Sequence, residues 1–330
     1  MIVDWRLEKI LHHDPAKEHC RTGVHDGTRR GRRAGFWLVL CILLAGCQPA
    51  RRTVTLALLG DIMVGRGVHP EPASLAYLAP ELKAADLSLA NLESPLSPGG
   101  AAGAASNDGY NLCADPARAA QFPLWDLDLL ALANNHRFDC GPQGPAATVK
   151  ALTALGVIPV GPGPQAVTQQ VNGLKLAFLA FDDILQPIDT EAAVQAIQTA
   201  RSGGALVVVS VHWGMEYQPG ASQRQETLAG QFAQAGAALI VGSHPHVLQP
   251  AAWIPTARGR TLVLYSLGNA LFDQAGLPDT RQSALVVVTL AANGVQSVWI
   301  KPFEIDTADS RLLPPDAQTA ARIRLELTAP

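Results

Sequence analysis

With 330 residues, 48% of them hydrophobic and 16% charged, the chain has enough apolar material for a substantial core, which excludes disorder for the bulk of it. Glycine and proline are plentiful, aromatics are few, and valine- and leucine-rich runs alternate with alanine-rich stretches, the composition of an α/β layered fold. The formal charge of −3 becomes more negative once the N-terminal segment is set aside, which argues against nucleic acid as the partner.

That segment has its own grammar. Arg29, Arg30, Arg32 and Arg33 precede an apolar stretch over residues 36–44, and Leu44-Ala45-Gly46-Cys47 follows. The stretch is too short to span a bilayer, so residues 29–46 read as a secretory signal. Its ending resembles a bacterial lipobox, which implies lipidation of Cys47, an N-terminal lipid anchor in the membrane and an extracytoplasmic protein. Residues 1–28 fit no signal peptide and read as an upstream extension, with Val24 as one possible start. Residues 1–46 carry eight Lys/Arg and five Asp/Glu, so 17 basic and 23 acidic side chains remain beyond them, a net of −6. Of the cysteines, Cys113 and Cys140 stay free of the signal and of acylation in a compartment where disulfides persist. They are expected to pair, two free buried thiols being the alternative.

After a tether at residues 47–52, residues 53–59 read as the first core strand, ending at Gly60-Asp61. Residues 86–90 form a second, stopping at Asn91-Leu92-Glu93. A loop over 95–109 follows on the same rim. The third run, 127–133, ends at Asn134-Asn135-His136 with Asp139 and Gly141 close behind, and residues 146–155 carry helical spacing before a loop at 161–164. Strand-then-helix alternation implies parallel pairing. Residues 174–181 are a fourth strand, 191–201 a helix, and 205–211 a fifth strand that ends at His212-Trp213-Gly214. A helix over 224–235 leads into the apolar run 237–241, after which Gly242 lets the backbone turn sharply before Ser243-His244-Pro245-His246. Residues 261–265 come next, then a hairpin over 284–305 turning at Asn293-Gly294. The single domain spans 53–306, and 307–330 reads as a peripheral tail.

Five strand ends therefore present Asp61, Glu93, Asn135 with His136, His212, and His244 with His246. Carboxylate oxygens, an amide oxygen and neutral imidazoles suit two divalent ions of the manganese, iron or zinc kind, which activate water near neutral pH. With no cysteine in the set, structural zinc is disfavoured.

In chain order, Gly60-Asp61-Ile62-Met63, Asn91-Leu92-Glu93, Ala133-Asn134-Asn135-His136 with Asp139 and Gly141, Val211-His212-Trp213-Gly214 with Glu216-Tyr217, Gly242-Ser243-His244-Pro245-His246, and Tyr265-Ser266-Leu267-Gly268-Asn269 with Phe272-Asp273 resemble the capsule-synthesis family of CapA type. That family is associated with poly-gamma-glutamate and is similar to the calcineurin-like metallophosphoesterases. The likeness runs from about residue 53 to residue 305. It implies a four-layer αββα sandwich with the metal site at the C-terminal ends of the strands. Asp61 and His246 would hold one ion, Asn135, His212 and His244 the other, and Glu93 would bridge them. His136 would be a general acid with Asp139 fixing its tautomer, although Asp139 also reads as a turn cap. Arg66 would clamp a phosphate or carboxylate oxygen, or else is a plain surface charge.

The implied activity is dimetal-dependent hydrolysis of a phosphoester or of an acidic cell-surface polymer, alongside other capsule-machinery proteins. The alternative is a non-catalytic, metal-stabilised component that binds or guides the polymer during export. Two positions depart from the pattern. Met63 stands where the phosphoesterases have histidine, and a thioether is a poor ligand for a hard or borderline ion. Ala270 stands where the family tends to have an aromatic.

Overall fold

The computed structural model describes residues 52–100 and 110–328. The signal, Cys47 and the rest of residues 1–51 lie outside the described residues, as do 101–109 of the loop and the last two positions.

The chain opens with β1 (Thr53–Ile62), α1 (Ala79–Ala84), β2 (Leu87–Leu92), β3 (Leu129–Ala131), α2 (Gly144–Ala154), β4 (Ile158–Val160) and β5 (Gly163–Val171). It continues through β6 (Leu174–Asp182), α3 (Thr190–Ser202), β7 (Leu206–His212), α4 (Gln223–Ala235), β8 (Ala237–Ser243), β9 (Leu248–Thr256) and β10 (Gly259–Leu267). It closes with β11 (Asn269–Leu271), β12 (Gln282–Ala291), β13 (Gly294–Asp306), β14 (Arg311–Leu313) and α5 (Ala317–Leu327).

Local chemistry accounts for these elements. Strand β7 is buried along its whole length, and its run of valines without polar alternation is what a central strand covered on both faces requires. Helix α4 starts on a capping box, in which Ser222 accepts from the Gln225 N–H and the Gln225 side chain accepts from the Ser222 N–H. It ends at Gly236 in the left-handed conformation.

The strands form two mixed sheets, one ordered β14-β13-β12-β1-β2-β3-β4 with β11 attached to β1, the other β5-β6-β7-β8-β10-β9. Strands β1 to β4 pair in parallel, as do β6, β7, β8 and β10, while β12, β13 and β14 on one side of the first sheet and β5 and β9 at the edges of the second are antiparallel to their neighbours. Leu56, Leu58 and Val286 of the first sheet meet Phe178, Val208 and Leu239 of the second in the core between them. The alternate residues Ala57, Leu59 and Leu130 face outward onto Leu82 of α1, Leu152 of α2 and the Phe122–Trp125 pair. On the other side Leu179, Val207 and Val209 meet Ile197 of α3 and Phe232 of α4. Helices outside and two sheets inside make the four-layer αββα sandwich expected from the sequence. Parallel register then sets Asp61 beside Asn91, and His212 beside Ser243, along one rim.

Three readings are corrected. The residues beyond Asp306 are not peripheral: Leu312 of β14 pairs with Ile305, and α5 buries Ile323 and Leu327 in the core between the sheets. The loop expected at 161–164 runs into β5, an edge strand where Pro164 leaves no ladder bond missing. Gly242 lies inside β8, not at a turn. A Cβ there would stand 1.9 Å from the Tyr265 carbonyl oxygen and 2.5 Å from Trp213 Nε1, so glycine is required by the close approach of β10 and the indole.

Two substitutions test this packing. Gly242→Ala forces a backbone shift and is expected to cost about 3 kcal/mol by overpacking. Ile323→Ala is expected to cost about 3 kcal/mol through the cavity it leaves. Both should lower the urea midpoint with an unchanged slope. An Ile323→Ala protein with the wild-type midpoint contradicts the placement of α5 in the core.

Candidate metal centre

The rim gathers the side chains singled out in the sequence. Asp61 ends β1, Glu93 follows β2, Asn135 and His136 lie in the turn after β3, His212 ends β7, and His244 and His246 occupy the loop after β8. Asp61, Glu93, His212, His244 and His246 are buried. His244 and His246 both have positive φ, 97° and 60°, a conformation that costs a non-glycine residue energy and persists only where surrounding contacts impose it.

Glu93 is the hub. Its Oε1 lies 3.7 Å from His212 Nε2, 3.7 Å from His246 Nε2 and 3.8 Å from His136 Nε2. Both carboxylate oxygens are buried, and neither has a hydrogen-bond partner. A buried carboxylate left this way is costly, and a cation among the surrounding lone pairs removes the cost. Donor atoms of Glu93, His212 and His244 lie within 4.8 Å of one another, as do those of Asp61, Glu93 and His246. Glu93 belongs to both groups. Asn135 adds its side-chain oxygen to the first, 2.8 Å from His212 Nε2. His244 Nδ1 is 3.1 Å from the same nitrogen, so two ring nitrogens and an amide oxygen converge there as a donor set that suits a divalent ion.

Charge states agree with this use. Burial, helped by the neighbouring imidazoles, holds His212 well below the ordinary histidine range and takes His244 down to about 4, so both are neutral donors. Burial pushes the Glu93 carboxyl up to about 8. At His246 burial is outweighed by the Glu93 and Asp61 carboxylates, which raise the imidazole to about 9. Glu93 and His246 face each other and titrate as a pair, holding protons that a divalent ion displaces on binding.

Each ligand is oriented from behind. Asn91 donates to Asp61 Oδ1 at 2.8 Å, and the His244 backbone N–H donates to Asp61 Oδ2 at 3.1 Å. His212 Nδ1 meets Ser243 Oγ at 2.9 Å, and His246 Nδ1 meets the Asn269 side-chain oxygen at 2.9 Å, leaving both Nε2 atoms on the Glu93 side. Asn91, Ser243 and Asn269 were given no role in the sequence reading. The available signal was a polar residue inside or next to a buried apolar run.

His136 stands at the mouth. Its Nδ1 donates to Asp139 Oδ2 at 2.8 Å, and the same oxygen accepts from the Leu112 N–H at 2.7 Å, so Asp139 both orients the imidazole and anchors a neighbouring segment. Burial would lower the His136 pKa, but the Asp139 hydrogen bond and the Glu93 carboxylate outweigh it and raise it above the ordinary value. Arg66 is ion-paired with Asp273 and lies 5.5 Å over the Phe272 ring, which packs 4.9 Å from the His246 ring. Arg137, unassigned in the sequence, pairs with Asp182 and donates to the Asn134 carbonyl at 2.9 Å. Met63 is fully buried in the outer core with Leu271 and Phe272, so position 63 offers the rim no ligand. Cys113 and Cys140 are joined by a disulfide, their Cα atoms 5.0 Å apart.

The orphaned carboxylate has a measurable consequence in the metal-free protein. The folded chain keeps a proton on Glu93 that the unfolded chain releases above about pH 4.3, so stability falls as pH rises from there to about 8. Glu93→Gln removes that loss. In EDTA the variant is expected to melt above wild type near pH 8, with the gap closing towards about pH 4. A variant that melts below wild type in EDTA near pH 8 contradicts the reading of Glu93 as a buried acid whose ionisation the metal-free fold opposes.

Residues 55–274 match the family described as bacterial capsule synthesis protein PGA_cap. The chain is 32% identical over 295 residues to the PGA biosynthesis protein CapA of Bacillus subtilis, covering 82% of this chain and 76% of that protein. It is 33% identical over 282 residues to the capsule biosynthesis protein CapA of Bacillus anthracis, covering 76% of this chain and 67% of that one. The six ordered motifs and the span of these matches agree, and the chain belongs to the bacterial capsule synthesis protein family of CapA type.

Proposed function

We propose that this protein is a metal-dependent hydrolase of capsule or poly-gamma-glutamate metabolism, acting at the cell envelope on a phosphoester or on an amide or ester of an acidic polymer. The observation that carries the reading is the buried Glu93 carboxylate, without a hydrogen-bond partner and shared by two groups of donors. Relatives named for PGA and capsule biosynthesis support the pathway. The lipobox at residues 44–47 supports attachment through Cys47. No helix among the described residues is long and apolar enough to cross a membrane.

Asp61, Glu93 and His246 would hold one divalent ion of the manganese, iron or zinc kind, and Glu93, Asn135, His212 and His244 a second. When bound, such ions supply Lewis acidity and the activation of water near neutral pH. The chain's own residues do the rest. Asp139 holds His136 Nδ1, which leaves Nε2 aimed into the site, and the Asp139 and Glu93 carboxylates favour the protonated ring that a proton donor to the leaving group requires. Arg66, set beside the site by Phe272, is the candidate to meet a phosphate or carboxylate oxygen of the substrate by exchanging its partner Asp273.

A second reading draws on Met63. The Asp61 side has three protein donors only, so its ion would be the weaker held, and a chain with that position empty would be a polymer-binding or export component without turnover.

Trace-metal analysis of the purified protein is expected to find two ions per chain, and one after His246→Ala. Wild type is expected to release product from bis-nitrophenyl phosphate or a glutamyl polymer. His136→Ala should keep both metals and lose about 100-fold or more in kcat. Metal without turnover in the wild type, together with retained polymer binding, contradicts the hydrolase and favours the second reading.

A further inference from the structure

Two segments distant in sequence meet beside His136. Residues 111–113 run past Asp139 and Cys140 and are fastened in three ways. The Leu112 N–H donates to Asp139 Oδ2 at 2.7 Å, the Asn111 side-chain amide donates to the Asp139 carbonyl at 3.0 Å, and Cys113 is disulfide-bonded to Cys140. Of the three, the disulfide alone is covalent. Asp139 Oδ2 is also the atom that receives His136 Nδ1–H at 2.8 Å. The oxygen that orients the imidazole is therefore placed by a backbone N–H one residue away from the disulfide. A cavity of about 240 Å³, lined by Ser97, Gly99, Gly100, Asn111 and Asp139, reaches both cysteines.

We propose that the Cys113–Cys140 disulfide is the positioning device for His136, making the proton-donating arm of the site redox-dependent. This rests on the reading of His136 as the proton donor. With the bond closed, Leu112 is held against Asp139, the carboxylate has one orientation, and His136 has one tautomer. A dithiol reductant supplies two electrons and two protons. The S–S bond breaks, both cysteines become thiols, and the reductant closes to its own disulfide. Two hydrogen bonds and the burial of Leu112 in the outer core then hold residues 111–112, Cys113 is no longer tied to Cys140, and Asp139 gains freedom to turn from His136. The bond persists in an oxidising compartment, so the donor would be locked in place only after export.

The test compares metal-loaded wild type before and after dithiol reduction, a Cys113→Ala/Cys140→Ala double variant, and Asp139→Asn, measuring kcat and KM on bis-nitrophenyl phosphate. Reduction or the double substitution is expected to lower kcat about tenfold, part of the roughly 100-fold that a 1 Å misplacement of a catalytic group can cost, with KM and metal content unchanged. Asp139→Asn should be equally slow when oxidised and lose nothing more on reduction. A kcat that falls on reduction in Asp139→Asn as much as in wild type overturns the proposal, because the disulfide would then act through general stability.

Histidine-labelled NMR gives a readout independent of turnover. The His136 Nδ1 proton should be protected from exchange in the oxidised protein and lost from the spectrum on reduction, and its persistence on reduction overturns the proposal. If no form of the protein turns over substrate, the hydrolase reading fails and the NMR result alone decides the positioning role. Should the double variant not fold, reduction and reoxidation of wild type, with kcat and the proton signal both recovering, decide it.

Discussion

The structure is organised around one unpaid electrostatic demand, the Glu93 carboxylate, which is buried among imidazoles and accepts no hydrogen bond. A folded chain keeps such a group only where something outside the polypeptide compensates it or where a proton does, and the raised pKa of Glu93 is the proton's version of that answer. The neighbours are arranged for the other version. His212 and His244 are held neutral, and Ser243 and Asn269 occupy the far nitrogens of His212 and His246. Asn91 steadies Asp61. Every one of these contacts joins residues on different strands or on the loops that follow them.

The fold supplies that crossing through two glycines, each just ahead of a ligand. A Cβ on Gly60 would lie 1.9 Å from the Gly268 carbonyl oxygen, and one on Gly242 would lie 1.9 Å from that of Tyr265. Any side chain at either position would push the ends of β1 and β8 away from β10 and the turn that follows it. Asp61 and the His244–His246 loop would separate with them. The apolar core between the sheets sets the strands in register, and the glycines let the rim close on itself.

The parallel centre of the sandwich was legible because β1, β2, β7 and β8 are apolar runs that end abruptly in polar residues, and periodicity reports burial directly. The edges were not. Strands β5 and β9 carry Pro164, Pro250 and Pro255, which an edge tolerates and a sequence pattern reads as loop. Helix α5 buries only Ile323 and Leu327 strongly, too few to stand out from a polar tail. At the site, Asp61, Glu93, His212, His244 and His246 were visible as chemistry at strand ends, and the structure brings them together. Asn91, Ser243 and Asn269 escaped because their partners are fixed by sheet register and not by spacing along the chain. Gly242 was assigned to a turn since glycine at a strand end looks the same whether it serves a bend or a close contact.

Whether a cation completes Glu93 is the central question at this rim. Anomalous diffraction from crystals grown with manganese answers this at the atom concerned. The expected result is a peak on each side of the Glu93 carboxylate, one beside Asp61 and His246 and one beside Asn135, His212 and His244. A well-ordered Glu93 with no peak against either oxygen, at a metal concentration that saturates the protein in solution, contradicts it.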